Sequence, residues 1–305
     1  MLSDATSIPA PLAVTWFQCV VTSAILWALG EVGRRAPEGT FFSQFPAATF
    51  DLKLATSKSV ALLSLVFVGM ITFNNLSLKY VEVSFYNVAR SLTIVFNVVL
   101  TYLMLGETTS QRVLLMLGVV VSGFFLGSAS EMRFSWLGSL FGVTSSLFVA
   151  LNGIYNKKAM PEVGGNVWRL SLYTNVSASV IFLPLILLTG EGAIIAAHAH
   201  QLRSAVFWAT MLLGGAFGFA IGIVTSMQIA VTSPLTHNIS GTAKACVQTL
   251  LALVVWGNPT NAANLTGTAL VLLGSCGYSY VRAGLPAAAC PAAPPPPLTT
   301  PRAHK

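Results

Sequence analysis

Long apolar runs separated by short polar clusters set the pattern of this chain, and each run has about the 20 residues that an α-helix needs to cross the hydrocarbon core of a bilayer. Nine such runs are read, near residues 13–33, 58–80, 84–105, 111–129, 134–158, 166–190, 204–229, 234–256 and 262–282. The pattern predicts an all-α fold, a polytopic membrane helical bundle. Between the first two spans the stretch from Phe41 to Lys53 is amphipathic, with Phe41, Phe42, Phe45 and Phe50 placed to hold it along the membrane surface.

Composition narrows this further. Of 305 residues, 54% are hydrophobic and 8% charged, more apolar surface than one soluble core can hide. A net charge of +7 raises nucleic acid as a partner, but the basic residues are dispersed and form no contiguous patch, which excludes it. Sorted by loop, Arg34, Arg35, Lys53, Lys58, Arg112, Lys157, Lys158, Arg282, Arg302 and Lys305 fall on one side, and only Lys79, Arg133 and Arg203 on the other. The positive-inside rule makes the first side, and the Pro/Ala-rich tail at 283–305, cytosolic. That tail is expected to be disordered. The start, MLSDATSIPAPLAV, lacks the basic region and cleavage site of a signal peptide. Four cysteines without CxxC or Cys/His spacing support neither a metal site nor a disulfide framework, and no cofactor is expected.

The polar residues inside spans carry the chemistry. Lys244 lies in the eighth, where an ammonium in hydrocarbon costs roughly 3 kcal/mol and so marks a hydrated path or a side chain that snorkels from a helix end. His237, Ser240, Gly241, Lys244 and Gln248 share one stripe of that helix. In the third span Tyr86, Asn87, Arg90 and Ser91 share a side, with Asn97 and Thr101 beyond; a guanidinium fork suits paired phosphate oxygens. All nine acidic residues fall in loops or at span ends, so Arg90 has no carboxylate partner at membrane depth, and exchange of anions is favoured over ion coupling. Asn152, Tyr155 and Asn156 close the fifth span, and Tyr173 and Asn175 mark the sixth, where an asparagine can read a nucleobase edge or bond a neighbouring helix. Asn74 and Asn75 face either a neighbouring helix or the cavity. Gly118, Gly123, Gly127, Gly138 and Gly142, and then Gly214, Gly218 and Gly222, are expected to form packing seams.

Laying Lys79 to Glu107 over Ala230 to Asn258 pairs Asn87 with Asn238 and Gly106 with Gly257, a weak internal repeat whose unit is five spans. The expected organisation is a first repeat of four spans at 1–129, a second of five at 130–282 and the tail at 283–305, with the opening span of a five-plus-five arrangement absent from this chain.

The runs VTWFQCVVT, FVGMITFNNLSLKYVEVSFYNVARSLTIVFNV, SWLGSLFGV, WRLSLYTNV, GGAFGFAIG and TSPLTHNISGTAKACVQT cover nearly the whole membrane region. Through them the chain resembles the Golgi nucleotide-sugar transporters of the drug/metabolite transporter superfamily, in the branch that carries GDP-fucose. The resemblance implies an inverted repeat of ten spans, alternating access, and import of GDP-fucose into the Golgi lumen in exchange for GMP. In related GDP-mannose carriers an FYNN motif recognises guanine and a GALNK motif contacts sugar and phosphates. The matching positions here are Leu172, Tyr173, Thr174 and Asn175, and Gly241, Thr242, Ala243, Lys244 and Ala245. Plastid triose-phosphate translocators likewise place cations on the equivalents of the third and eighth spans.

The site so read has Arg90 and Lys244 on the diphosphate, Tyr173 and Asn175 on the base, and His237, Ser240 and Gly241 at the sugar, with Tyr86, Asn87 and Asn152 completing it. The partners are the nucleotide sugar, GMP, the bilayer and, as one option, a second copy in a homodimer. Carriage of another nucleotide sugar or phosphorylated metabolite, and a non-transporting fragment, stay open as alternatives. An enzyme is not expected: no buried carboxylate pair, HExxH or Ser/His/Asp grouping is present.

Overall fold

The computed structural model describes residues 8–35, 51–80, 83–106, 110–129, 136–232, 236–237, 240–241, 244, 247, 251 and 262–283. Among them run α1 (Pro11–Arg35), α2 (Leu52–Ala55), α3 (Lys58–Tyr80), α4 (Val83–Leu105), α5 (Gln111–Ala129), α6 (Trp136–Ala159), α7 (Val167–Leu188), α8 (Glu191–Ala197), α9 (Ala205–Val231) and α10 (Ala262–Ala283), with 3-10 turns at Pro161–Val163 and Gln201–Arg203. No strand occurs among the described residues. Stretches at Pro11–Arg35, Lys58–Tyr80, Trp136–Val163, Val167–Leu188 and Ala205–Val231 are long and apolar enough to cross a membrane, and shorter apolar helical stretches run through Leu92–Met104, Gln111–Gly123 and Leu265–Tyr278.

The helices coincide with the predicted spans to within a few residues, except for the eighth, of which only residues 236, 237, 240, 241, 244, 247 and 251 are described, all helical. Most of the expected amphipathic stretch, at 41–50, and the tail beyond Ala283 lie outside the described residues.

Helix ends are set by side chains that satisfy the N–H groups a first turn leaves open. Asn166, just after the turn made by Gly164 and Gly165 at φ 71° and 73°, accepts from the Arg169 N–H at 3.0 Å and starts α7. Ser204 caps α9 by accepting from Phe207. The cap of α1 comes from far along the chain: the buried Glu191 carboxylate accepts from Leu12 N–H at 3.2 Å and Ala13 N–H at 2.9 Å. A carboxylate there also meets the positive end of the helix dipole.

The packing follows from small residues. α5 lies along α10, and α3 along α6; α4 also packs on α6, α1 on α7 and α9, and α3 on α7. On the α5–α10 seam a Cβ at Gly123 would stand 2.7 Å from the Gly267 carbonyl, and one at Gly274 would stand 3.0 Å from the Met116 carbonyl, so the backbones touch. Gly142 faces Ala89, whereas Gly118 borders open space. The expected Gly214/Gly218/Gly222 seam is not one surface: Gly215 and Gly214 meet Val21 and Gln18 of α1, while Gly218 and Gly222 have no neighbour there and open on a cavity. A glycine every fourth residue rotates slowly around the helix, and α1 crosses only its first part.

Shifting the chain by the offset that pairs Asn87 with Asn238 lays α1 on α7, α3 on α9 and α5 on α10. The same shift turns the α1–α9 contact into the α7–α3 contact, and both occur.

Removing the long-range cap should loosen the α1 start. Glu191→Ala is expected to destabilise the fold by about 1–2 kcal/mol, with Glu191→Gln intermediate, read as a lowered unfolding midpoint of the detergent-solubilised protein. An unchanged midpoint in both would show that the carboxylate does not hold α1.

Candidate functional site

A cavity of about 350 Å³ lies among α1, α3, α4, α6, α7, α9 and His237, within the size range of small-molecule sites. Each wall is one stripe of a helix. α6 contributes Val149, Asn152, Gly153 and Asn156, α7 Leu170, Ser171, Thr174 and Asn175, and α9 Gly218, Ile221, Gly222, Thr225, Ser226 and Ile229. The α6 positions sit in the half of that helix that ends at Lys157 and Lys158, and Leu63 and Phe67 in the half of α3 that starts at Lys58, so the hollow lies toward that side.

Arg90 stands at the deep end. Its Nη1 donates to Tyr86 Oη at 2.9 Å, with the guanidinium 5.9 Å from that ring. Tyr86 Oη in turn donates to Asn74 Oδ1 at 3.1 Å, and Ser145 Oγ bonds the same oxygen. Past Arg90, α3, α4 and α6 close on one another. Ser146 Oγ donates to the Ala89 carbonyl at 2.8 Å, and Phe73 lies 5.1 Å from Phe148 and 6.2 Å from Phe141, which lies 5.7 Å from Tyr80. Among the described residues no carboxylate lines the cavity or pairs with Arg90. An unpaired guanidinium beside such a hollow has the chemistry to hold an anion.

The rest of the lining is neutral and polar. His237 Nδ1 lies 2.7 Å from Gln228 Oε1, an acceptor, so that nitrogen carries a proton and Nε2 is the other face of the ring. Asn175 Nδ2 donates to the Ser171 carbonyl at 2.9 Å and to its hydroxyl at 3.3 Å. Thr174 donates to the Leu170 carbonyl at 2.9 Å.

Of the residues singled out in the sequence, Arg90, Asn152, Asn175 and His237 line this cavity, and Tyr86 supports Arg90 from behind. The structure does not bring Tyr173 to it. That ring is fully buried between α2, α3, α6 and α7, accepts at its hydroxyl from the Asp51 N–H at 2.9 Å, and lies 5.8 Å from the Arg169 guanidinium. With Ser171, Thr174 and Asn175 facing inward, 100° per residue turns Tyr173 to the opposite side. Ser240, Gly241 and Lys244 are exposed and not among the lining residues; Lys244 shares the His237 stripe but lies about 10 Å farther along it. The side chain of Asn87 lies outside the described residues. Asn74 faces a neighbouring helix through Ser145. Thr22, Thr225 and Ser226 were passed over, having no charge or motif to mark them. Asn156, noted in the sequence beside Asn152 but not assigned to the site, also lines the cavity, one turn beyond Asn152 on the same face.

A profile of the Triose-phosphate Transporter family matches residues 4–279. The chain belongs to the Triose-phosphate Transporter family. Within it, the GDP-fucose transporter 1 of Nematostella vectensis is 51% identical over 90% of this chain and 80% of that one. The "GDP-fucose transporter, Golgi" of Drosophila melanogaster is 44% identical over 92% and 82%. A protein crystal structure superposes with a TM-score of 0.60 over 92% of both chains at 14% identity, a likeness of fold alone. The named relatives are transporters, not enzymes.

A hydrated cavity makes a thiol within it reactive. With the four native cysteines Cys19, Cys246, Cys276 and Cys290 replaced, a cysteine at Thr225 is expected to react with a membrane-impermeant maleimide, and one at Ser77, fully buried against α6, to stay unlabelled. Equal labelling would place water where helices are drawn in contact.

Proposed function

We propose that this chain carries GDP-fucose across the Golgi membrane into the lumen, exchanging it for GMP by alternating access. The observation that carries the reading is Arg90, an arginine with no carboxylate partner among the described residues, on the wall of a hollow, in a chain about half identical to proteins named GDP-fucose transporters. The Golgi setting is drawn from the Drosophila relative's name.

In this reading Arg90 holds the phosphates at the deep end, His237 and Asn152 flank the sugar, and Asn175 meets the base. Lys244 and Tyr86 act on Arg90's end of the path, Lys244 from farther along its stripe and Tyr86 by orienting the guanidinium. Among the described residues no carboxylate lines the cavity, which favours anion exchange, because a proton- or sodium-coupled carrier usually keeps one at membrane depth. The two repeats, 1–129 and 130–282, would rock about the cavity. By the excess of basic residues, the side on which it lies and the C-terminal tail are assigned to the cytosol.

In proteoliposomes, uptake of labelled GDP-fucose is expected to be stimulated by internal GMP and to fall at least about tenfold in Arg90→Ala, the scale of a lost charge-assisted bond; Arg90→Lys recovers only part of it. Uptake indifferent to internal GMP would remove the exchange, and uptake indifferent to Arg90→Ala would remove the phosphate site.

A further inference from the structure

Arg90 is the only lysine, arginine or carboxylate among the described residues that line the cavity, and its guanidinium is held from outside the cavity. Nη1 donates to Tyr86 Oη at 2.9 Å, one turn back on α4. That oxygen stands 3.1 Å from Asn74 Oδ1 on α3, and Ser145 Oγ of α6 bonds the same amide oxygen. Tyr86, Asn74 and Ser145 are not among the lining residues, so they bear on a ligand in the hollow through Arg90. A guanidinium only donates, so the phenol oxygen accepts from Arg90 and has its own proton to give onward. Asn74 is where that relay ends.

Other side chains at position 74 show what the amide does. An apolar one would take the acceptor from Tyr86 and leave the guanidinium free to turn. A carboxylate would keep the contacts, but it would put a full negative charge two hydrogen bonds from Nη1 and offset the cation. An asparagine avoids both effects. The anchor also sits in packed helices rather than in the hollow. Phe73, the residue before Asn74, lies 5.1 Å from Phe148 of α6, and a Cβ at Gly69, one turn earlier on α3, would stand 2.5 Å from the same ring.

We infer that Asn74 is a positioning residue for anion binding, whose neutral amide aims the Arg90 guanidinium through Tyr86 and leaves its positive charge whole. The inference rests on the transport reading above, in which Arg90 holds the substrate's phosphates, and adds to it the group that sets their direction. With Nη1 committed to Tyr86, the Nε and Nη2 edge of Arg90 is left as a fork for two phosphate oxygens.

The test is equilibrium binding of GMP to the purified full chain in lipid nanodiscs, for the wild type, Arg90→Ala, Asn74→Leu, Tyr86→Phe, the double variant of the last two, and Asn74→Asp. The unfolding midpoint of each reports on folding. Asn74→Leu and Tyr86→Phe are each expected to weaken GMP about tenfold, the scale of a hydrogen bond to a charged group. The double variant should lose no more than Tyr86→Phe alone, because Asn74 acts through that hydroxyl; a merely structural effect of Asn74 would multiply with it. Asn74→Asp preserves the relay's shape and should still weaken GMP about tenfold, by offsetting the charge. Affinity unmoved by Asn74→Leu, losses that multiply in the double variant, or wild-type binding by Asn74→Asp overturns the assignment and leaves transport standing. A wild type that binds GMP no better than Arg90→Ala does takes down the phosphate site of the transport reading, and this inference with it.

Discussion

Hydrocarbon offers no partner for a polar group, and everything in this fold answers to that. Backbone groups are closed inside helices, and many of the polar side chains that remain bond one another or a nearby carbonyl, or face a shared hollow. Arg90 is where the constraint bears hardest. Its guanidinium is held by Tyr86, Tyr86 by Asn74, and Asn74 by Ser145, so three helices are joined by a relay of neutral groups around one charge. No opposite charge neutralises it among the described residues. In the proposed reading the protein keeps a cation ready for a negative ligand, and the polar contacts around it fix its geometry rather than cancel its charge.

The same constraint divides the bundle. Where helices meet without a cavity, as α5 does with α10, the contact is made by glycines that let backbones touch, and polar side chains are few. Where they surround the hollow, one stripe of each helix carries hydroxyls and amides, and much of that wall is satisfied locally: Thr174 by Leu170, Asn175 by Ser171, His237 by Gln228. Local satisfaction leaves the remaining lone pairs pointing into the space. The wall is polar enough to be wet.

The helices could be read from the sequence because apolar length and flanking charge are nearly the whole determinant of a span; Lys58 and Tyr80 bound α3 as the hydrophobic run does. The site was legible only where a residue's type is costly in lipid. Arg90, Asn152, Asn175 and His237 announced themselves that way and do face the cavity. Tyr173 did not obey, since an aromatic ring packs as readily in a core as in a pocket, and its side of α7 is decided by the neighbours α3 and α6. Lys244 lies on the expected stripe, but depth along a helix comes from where its neighbours cross, which periodicity does not contain. The glycines of α9 show the same limit: spacing foretold small residues in a row, not that α1 would leave the second half uncovered.

Glu191 ties the first turn of α1 to the segment that follows α7, across nearly 180 positions of chain. The short link from Leu188 to Glu191 is therefore a spacer of fixed length. An inserted residue there would carry the carboxylate off its two N–H groups, so tolerance to insertion, ordinarily the freedom of a surface loop, is withdrawn at this one connection.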